Sequence, residues 1–592
     1  MSNVKKFKKV SHTIPEKSKA WRIYGKGMEN FGDNRGPTEI PVPEPKDDEL
    51  LVRNDAIGLC FSDTKIIKFG PDHPRIRGRD LKKNPVIPGH EVALTVVRVG
   101  KDRQRDYKVG ERYIIQADVR YKGAMPSYGY VLPGGLSQYG IIGKEVLDGD
   151  DGSYLIPLYN RKLGYSELAL VEPWGCVVAA YRITHRRGIA DGGVMLIAGN
   201  GKDEKAWDFS ALLQESKPAR VVLLDVGTDT QERIQDIIHG GIQRGGGPKG
   251  APTEILQERG SKVKELSSRY TDGKGFDDII ILGDAADRFV EEAGDSLCAH
   301  GILNYMVSSP KEQTVSIDAG KVHYDVIAFI GGTGTDVSAP YTENPDYTIK
   351  GGSVLMIGAG GPMGQMHIKL AMEQKKPPNL IIATDIDNQR VETLREKFET
   401  LARNKGIAFH VLNPGRFSDH AAYRKHIIEL NGGRLFEYVV CLAAIPSVIE
   451  DAASYLGDRA VLNIFAGVSK GTIVKLNVKE VAAKAVRFIG SSGSSIDDME
   501  YTLRKLEKGD LDTNSSAAGI CGMNDVWRGV DAVRTGSFAG KIIVYPHIRD
   551  LDLISMKELK ERFPKVGNLL SQGSEWNREA EEAFLEEMLD LD

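Results

Sequence analysis

Three short stretches carry side chains able to hold a metal ion. Gly58-Leu-Cys-Phe-Ser-Asp63 offers a thiol with a hydroxyl and a carboxylate close behind it. Pro88-Gly-His-Glu91 sets an imidazole beside a carboxylate, and Val171-Glu-Pro173 adds another carboxylate. A catalytic zinc takes three protein ligands from Cys, His and Asp/Glu and keeps one position for water or substrate. Cys60, His90 and one or both of Glu91 and Glu172 supply such a set. Each alone is weak: a lone cysteine is ordinarily packing, and a lone His-Glu pair is ordinarily a surface pair. Together, ahead of a nucleotide-binding pattern, they point to one catalytic metal.

A second chemistry is written in glycines. Gly358-Ala-Gly-Gly-Pro-Met-Gly364 follows the apolar run Val354–Ile357 and opens a helical stretch. Gly358, Gly360, Gly361 and Gly364, with Pro362 and Met363 between them, let backbone approach a pyrophosphate at a helix N-terminus. Asp385 ends the next apolar run, 21 residues past Gly364, near the spacing expected for a carboxylate that accepts the adenosine ribose hydroxyls. A carboxylate there repels a 2′-phosphate, so NAD is favoured over NADP.

The elements that must position these groups are duplicated. Val194-Met-Leu-Ile-Ala-Gly-Asn-Gly201 answers Val354-Leu-Met-Ile-Gly-Ala-Gly-Gly361, and Val221–Asp225 answers Ile381–Asp385, each offset by 160 residues. Phe276–Leu282 answers Phe436–Leu442 at the same offset, and Phe329-Ile-Gly-Gly332 answers Phe488-Ile-Gly-Ser491 at 159. Apolar runs alternating with helical segments indicate parallel strands with crossover helices. Each copy therefore reads as a doubly wound nucleotide-binding domain of about six strands. In the first copy the positions of Gly360 and Gly364 are Asn200 and Glu204. A glutamate at the helix start opposes a pyrophosphate, so this copy reads as degenerate; the rival reading is a different anionic ligand held by Lys202 and Lys205.

The chain has 592 residues, formal net charge −4, and five scattered cysteines, Cys60, Cys176, Cys298, Cys441 and Cys521. That charge gives no reason to expect nucleic acid or an anionic membrane. No apolar run is long enough to span a bilayer, the lysine-rich start lacks the core of a signal peptide, and the cysteine spacing suits a reducing compartment. A cytoplasmic enzyme is expected. The map expected is a mostly β catalytic domain over 1–188, completed by about 543–555. A first nucleotide domain over 189–347, a second over 348–542, and a helical tail over 555–592 follow. The tail opens with a capping box, Ser555 to Glu558, and packs on the body or on a partner. The basic loop His73-Pro-Arg-Ile-Arg-Gly-Arg79, with Lys82 and Lys83, is either a solvated surface or a receiver for a phosphate or carboxylate.

The order Gly-x-Cys-x-Ser-Asp, Gly-His-Glu, Glu-Pro, strand and glycine turn resembles the medium-chain zinc dehydrogenase superfamily. Within it the chain is most similar to polyol dehydrogenases, and to sorbose-1-phosphate reductase-like proteins in particular. Ser492-Gly493, Asp497-Asp-Met499 and Gly540-Lys-Ile-Ile-Val-Tyr-Pro546 add to the likeness, which covers roughly 20–200 and 350–548 and leaves the first nucleotide copy as an insertion. The resemblance implies a GroES-like catalytic domain joined to Rossmann-type sheets. It implies that Cys60, His90 and Glu172 hold zinc directly or through water, with Glu91 a fourth ligand or a close neighbour. Asp63 would orient His90 through its other ring nitrogen, Ser62 would start a proton relay, and Arg390 would lie over the adenine. Relatives often carry a second, four-cysteine zinc; Gln116–Gly135 has no cysteine, so one zinc per chain is expected. The activity implied is hydride transfer between NAD and a polyol, sugar or sugar-phosphate substrate. The alternatives are a zinc-free enone or quinone reductase and a nucleotide-sensing scaffold. Dimers of this superfamily pair the last strand of the nucleotide domain. The apolar runs Val326–Ile330 and Ala485–Ile489 are accordingly expected to pair within one chain, an intrachain pseudo-dimer.

Overall fold

The computed structural model describes residues 2–160, 162–202, 205–243, 253–309, 311–343, 347–571 and 574–591. Glu204, which carried part of the argument against the first nucleotide copy, lies outside the described residues. The chain forms two compact units. One is Met1–Ala179 with Gly361–Met366 and Gly493–Asp592; the other is Ala180–Gly360 with His367–Ser492.

The second unit holds two six-stranded parallel sheets. The first runs Glu254–Glu258, Arg220–Leu224, Val194–Ala198, Phe276–Leu282, Leu297–Met306, Ala328–Gly332. The other runs Ala408–Leu412, Leu380–Thr384, Ser353–Ile357, Phe436–Cys441, Leu456–Ile464, Arg487–Ile489. Both have the strand order of a dinucleotide-binding fold, reversing direction beside the first strand. The central strands are apolar along their whole length because helices cover both faces; Leu380–Thr384 is buried at every position.

The duplication is closed by an antiparallel ribbon. Thr314–Asp318 of the first copy pairs with Ile473–Asn477 of the second, with Ser316 opposite Lys475. Ser316 and Lys475 are equivalent residues at the 159-residue offset, so the ladder is centred on a local pseudo-two-fold. Its flanks obey the same symmetry: Ala319 N donates to Thr472 O at 2.9 Å, and the equivalent Val478 N donates to Gln313 O at 3.0 Å. An interface in which i meets j and j meets i is self-complementary. The strands expected to pair do not form this ladder. Val326 and Ala485 take left-handed φ of 52° and 53°, so the final strands start only at Ala328 and Arg487. Each is hydrogen-bonded to its own sheet, and among the described residues no ladder joins them. One apolar core nevertheless takes in Leu303 and Phe329 from the first copy, Leu462 and Phe488 from the second, and Val315, Ile317, Val474 and Leu476 from the ribbon.

The first unit is mostly β. Its sheet runs Ile554–Ser555, Ala517–Gly522, Lys541–Tyr545, Leu50–Gly58, Glu91–Val99, Arg112–Ile115, Leu155–Pro157, with Tyr139–Ile142 also on Leu50–Gly58. Here the expected boundary is corrected: the chain returns to this unit at Gly493, not near 543. The reason is that Ala517–Gly522 pairs in parallel with Lys541–Tyr545, which in turn pairs with Leu50–Gly58. The tail forms helices Met556–Arg562, Pro564–Gly567 and Arg578–Met588; Ser555 and Glu558 form the expected capping box. Among the described residues no helix is long and apolar enough to cross a membrane.

Candidate active site

The buried strand Leu50–Gly58 delivers Cys60 to the start of helix Phe61–Phe69. Asp63, one turn in, fixes the local geometry: its Oδ2 accepts from Cys60 N at 2.9 Å and its Oδ1 from Gly89 N at 3.1 Å. The same Oδ1 lies 3.5 Å from His90 Nδ1, which leaves Nε2 as the nitrogen open to a metal. Gly89 bridges the two loops with φ +93°, and a Cβ there would sit 2.9 Å from Leu136 Cγ, so glycine is required. Ser62 is half-buried in the first helical turn.

Cys60, His90 and Glu91 come together, with their ligand atoms all within 4.8 Å of one another. Glu91 is fully buried at the start of its strand, opposite Gly58. A Cβ on Gly58 would collide with Glu91 Oε2, so the glycine makes room for the carboxylate. Glu91 Oε1 pairs with Lys541 Nζ at 2.5 Å, while Oε2 is buried with no hydrogen-bond partner. Burial opposes the Lys541 ammonium, but the Glu91 carboxylate, with Cys60 behind it, outweighs that and raises its pKa. An unsatisfied buried carboxylate oxygen is costly unless something cationic or hydrogen-bonding meets it. Sulfur, nitrogen and oxygen donors at this spacing fit zinc.

Glu172 stands outside that tight group. It lies in the first turn of helix Val171–Ala179, with Cys176 Sγ 3.7 Å from its Oε1. Burial, with the nearby Glu91 carboxylate adding to it, pushes its pKa up to about 7 despite the opposing pull of His90. Glu91 is thus the carboxylate gathered with Cys60 and His90, and Glu172 stands close enough for its charge to be felt by them.

Tyr130 adds an aromatic wall, its ring centroid 5.9 Å from that of His90. Of the basic loop, Arg79 is spent on structure, donating to Asn84, Pro85 O, Tyr130 O and Val131 O. Arg75 packs 4.8 Å over Tyr130 and pairs with Asp118 at 2.6 Å. Lys541 and Tyr130 were not singled out by sequence reasoning. A lysine opening an apolar run reads as a strand end in water, and only its burial reveals that it needs an acid.

In the second nucleotide copy, Gly358 turns the chain with φ +77°, and helix Pro362–Met372 follows the glycines. Asp385 Oδ2 accepts from Gly360 N at 2.9 Å and Oδ1 from Asp387 N at 3.0 Å. A Cβ on Gly360 would lie 2.6 Å from both Asp385 Oδ2 and Arg390 Cβ; a Cβ on Gly361 would meet nothing within 4 Å. Asp385 and Arg390 thus flank the turn at Gly360. Gly364 is buried, while Pro362 and Met363 are half-buried at the helix start. In the first copy Asp225 has φ +48° and its carboxylate accepts from Gly260 N at 3.1 Å. Lys205 Nζ donates to Thr333 O at 3.2 Å.

A mostly β unit that gathers thiol, imidazole and carboxylate, with dinucleotide-type sheets in the same chain, defines a dehydrogenase-type oxidoreductase. Residues 46–147 match the alcohol dehydrogenase GroES-like domain. The chain is 28% identical over 335 residues to mannitol-1-phosphate 5-dehydrogenase of Aliivibrio fischeri, covering 52% of this chain and 76% of that protein. It is 28% identical over 329 residues to L-sorbose 1-phosphate reductase of Klebsiella pneumoniae, covering 53% and 75%. Among solved structures, 2R,3R-butanediol dehydrogenase from Bacillus subtilis aligns at 15% identity with TM-score 0.49, over 89% of this chain and 99% of that one. The likeness to these two sugar-phosphate oxidoreductases spans about half of this chain.

Proposed function

We propose that the protein transfers a hydride between NAD(H) and a polyol, sugar or sugar phosphate at a zinc site made by Cys60, His90, Glu91 and Glu172. The observation that carries this reading is the convergence of Cys60, His90 and Glu91 within 4.8 Å; the phosphorylated substrates of the two relatives support the substrate class. Zinc bound there supplies Lewis-acid polarisation of the substrate oxygen and lowers the pKa of its hydroxyl. The residues do the rest. Asp63 holds Cys60 and His90 in register, Lys541 neutralises one oxygen of Glu91, and Ser62 receives the hydroxyl proton and passes it outward. Gly358–Gly364 bring backbone to the pyrophosphate, Asp385 accepts the ribose hydroxyls and selects NAD, and Arg390 covers the adenine.

The first nucleotide copy serves, on this reading, as a built-in partner whose cofactor site was free to decay, so the chain makes a pseudo-dimer with itself. The ribbon centred on Ser316 and Lys475 supports that role. Five separated free thiols suit the reducing cytoplasm.

Two measurements test the proposal. Metal analysis is expected to give about one zinc per chain, lost in Cys60→Ser. A screen of polyols, sugars and their phosphates with NAD or NADH is expected to show turnover with at least one of them. Two tightly bound zincs, or metal content unchanged in Cys60→Ser, would refute the ligand set. Turnover of enones alone would favour a zinc-free reductase.

A further inference from the structure

The C-terminal helix Arg578–Met588 lies far in sequence from every candidate ligand, yet it places a charge in the interior of the first unit. Glu581, in its first turn, is 2% exposed. Its Oε2 accepts from Tyr165 N at 2.6 Å; its Oε1 accepts from Ser166 N at 2.7 Å and from Tyr545 Oη at 2.8 Å. A Cβ on Gly164 would collide with it, so the chain keeps a glycine where the carboxylate enters. Two neighbours lock the contact. Trp576 Nε1 reaches Ser166 Oγ at 3.2 Å and Tyr545 Oη at 3.1 Å, and Arg578 grips Glu167 through two bonds of 2.9 and 3.1 Å.

What Glu581 joins is telling. Tyr165 and Ser166 open the helix Tyr165–Ala169, which runs through Leu170 into Val171–Ala179, the helix that carries Glu172. Tyr545 closes the strand Lys541–Tyr545, whose first residue neutralises Glu91. One carboxylate therefore ties the helix behind Glu172 to the strand behind Lys541. A five-residue helix cannot hold its own direction, and its buried N–H groups need an acceptor; a carboxylate supplies short, charge-assisted bonds. The span is about 9 Å along the helix from Ser166 to Glu172 and about 13 Å along the strand from Tyr545 to Lys541. Both paths are regular structure, able to transmit a fixed position.

We propose that Glu581 is a positioning residue: the C-terminal helix sets the placement of Glu172 against the Glu91–Lys541 pair and thereby the metal affinity of the site. This rests on the reading of Glu172 as part of the ligand set. The test is zinc affinity by chelator competition, with the visible spectrum of the cobalt(II)-substituted full-length protein as a second readout. Glu581→Gln keeps the size but offers an amide where two N–H donors need acceptors, and it is expected to weaken zinc about tenfold, the usual scale for groups that orient ligands. The cobalt spectrum shifts with it. In a Glu172→Gln background the same change adds less than about twofold, because the coupling runs through Glu172. Lys8→Ala, which breaks only the exposed contact of Lys8 with Glu582, leaves both readouts unchanged.

If Glu172→Gln alters affinity and spectrum but Glu581→Gln alters neither, or lowers only the melting temperature, the inference is overturned. If Glu172→Gln itself changes nothing, the ligand reading fails and the inference falls with it. Should Glu581→Gln not fold, Arg578→Met carries the same test, with about threefold weaker zinc expected and no change overturning the inference.

Discussion

The two nucleotide-binding sheets share strand order and one apolar core, yet they part at the turn where a dinucleotide would lie. In the second copy the Asp385 carboxylate folds back onto Gly360 N, and the glycine is pressed between Asp385 and Arg390. In the first copy Asn200 stands at that position. Asp225 takes a left-handed backbone and gives its carboxylate to Gly260 N, while its own carbonyl accepts from Gly201 N at 2.5 Å. The aspartate is present twice, but only Asp385 turns its carboxylate onto the glycine turn. Packing constrains every core position of a sheet, whereas a cofactor constrains only the few residues that touch it; the second kind of constraint is the one that differs between the copies.

Copying the first turn into the second gives the largest expected effect. Gly360→Asn forces a Cβ into Asp385 and Arg390 and is expected to weaken NADH binding about a thousandfold, ~4 kcal/mol, in a fluorescence titration. Retention of wild-type affinity would show that the turn does not hold the cofactor.

Next comes a pH effect confined to the first copy. Asp278 is buried, and its place in the second copy is taken by Tyr438. Burial raises the Asp278 carboxyl from 3.8 to about 6, against the pull of Arg186. Between those values the folded chain keeps a proton that the unfolded chain has lost, so stability falls as pH rises from about 4 to 6, by about 3 kcal/mol. Denaturant unfolding across that window should show the decline in the parent and a flatter curve in Asp278→Asn. A parallel pair of curves would remove Asp278 as the cause.

The ribbon provides a smaller effect. Val474→Ala, opposite Ile317, is expected to cost about 2 kcal/mol of stability while leaving zinc content unchanged. The same loss of zinc as in Cys60→Ser would contradict a purely packing role. The smallest effect separates the aspartates. Asp385→Ala should weaken NAD about tenfold, ~1.4 kcal/mol, and narrow the preference over NADP. Asp225→Ala should leave both unchanged in the same titration; if it proved the more damaging change, the working copy would be the first.

Much of this was legible in the chain. The offsets of 160 and 159 fixed which strands correspond, because buried parallel strands are unbroken apolar runs. Cys60, His90 and Glu91 were legible as donor types at a strand end, a glycine turn and a strand start. Other features are set by geometry that letters do not encode. Left-handed residues Val326 and Ala485 shorten the final strands, and an antiparallel ladder between equivalent segments leaves no mark in either segment alone. Lys541 was hidden because its acid lies 450 residues away. Gly493 marks the return to the first unit only because Ala517–Gly522 pairs with a strand that could be recognised by itself.

The ribbon centred on Ser316 and Lys475 has a consequence for heredity and for dilution. When two identical chains meet across a two-fold axis, every substitution at the seam is made twice, and the contact dissolves as the protein is diluted. Here the two halves of the seam are separate codons on one polypeptide. Ser316 and Lys475 already differ, each half can change without dragging the other along, and the contact has no second-order step: it holds at one molecule per cell as firmly as at a thousand.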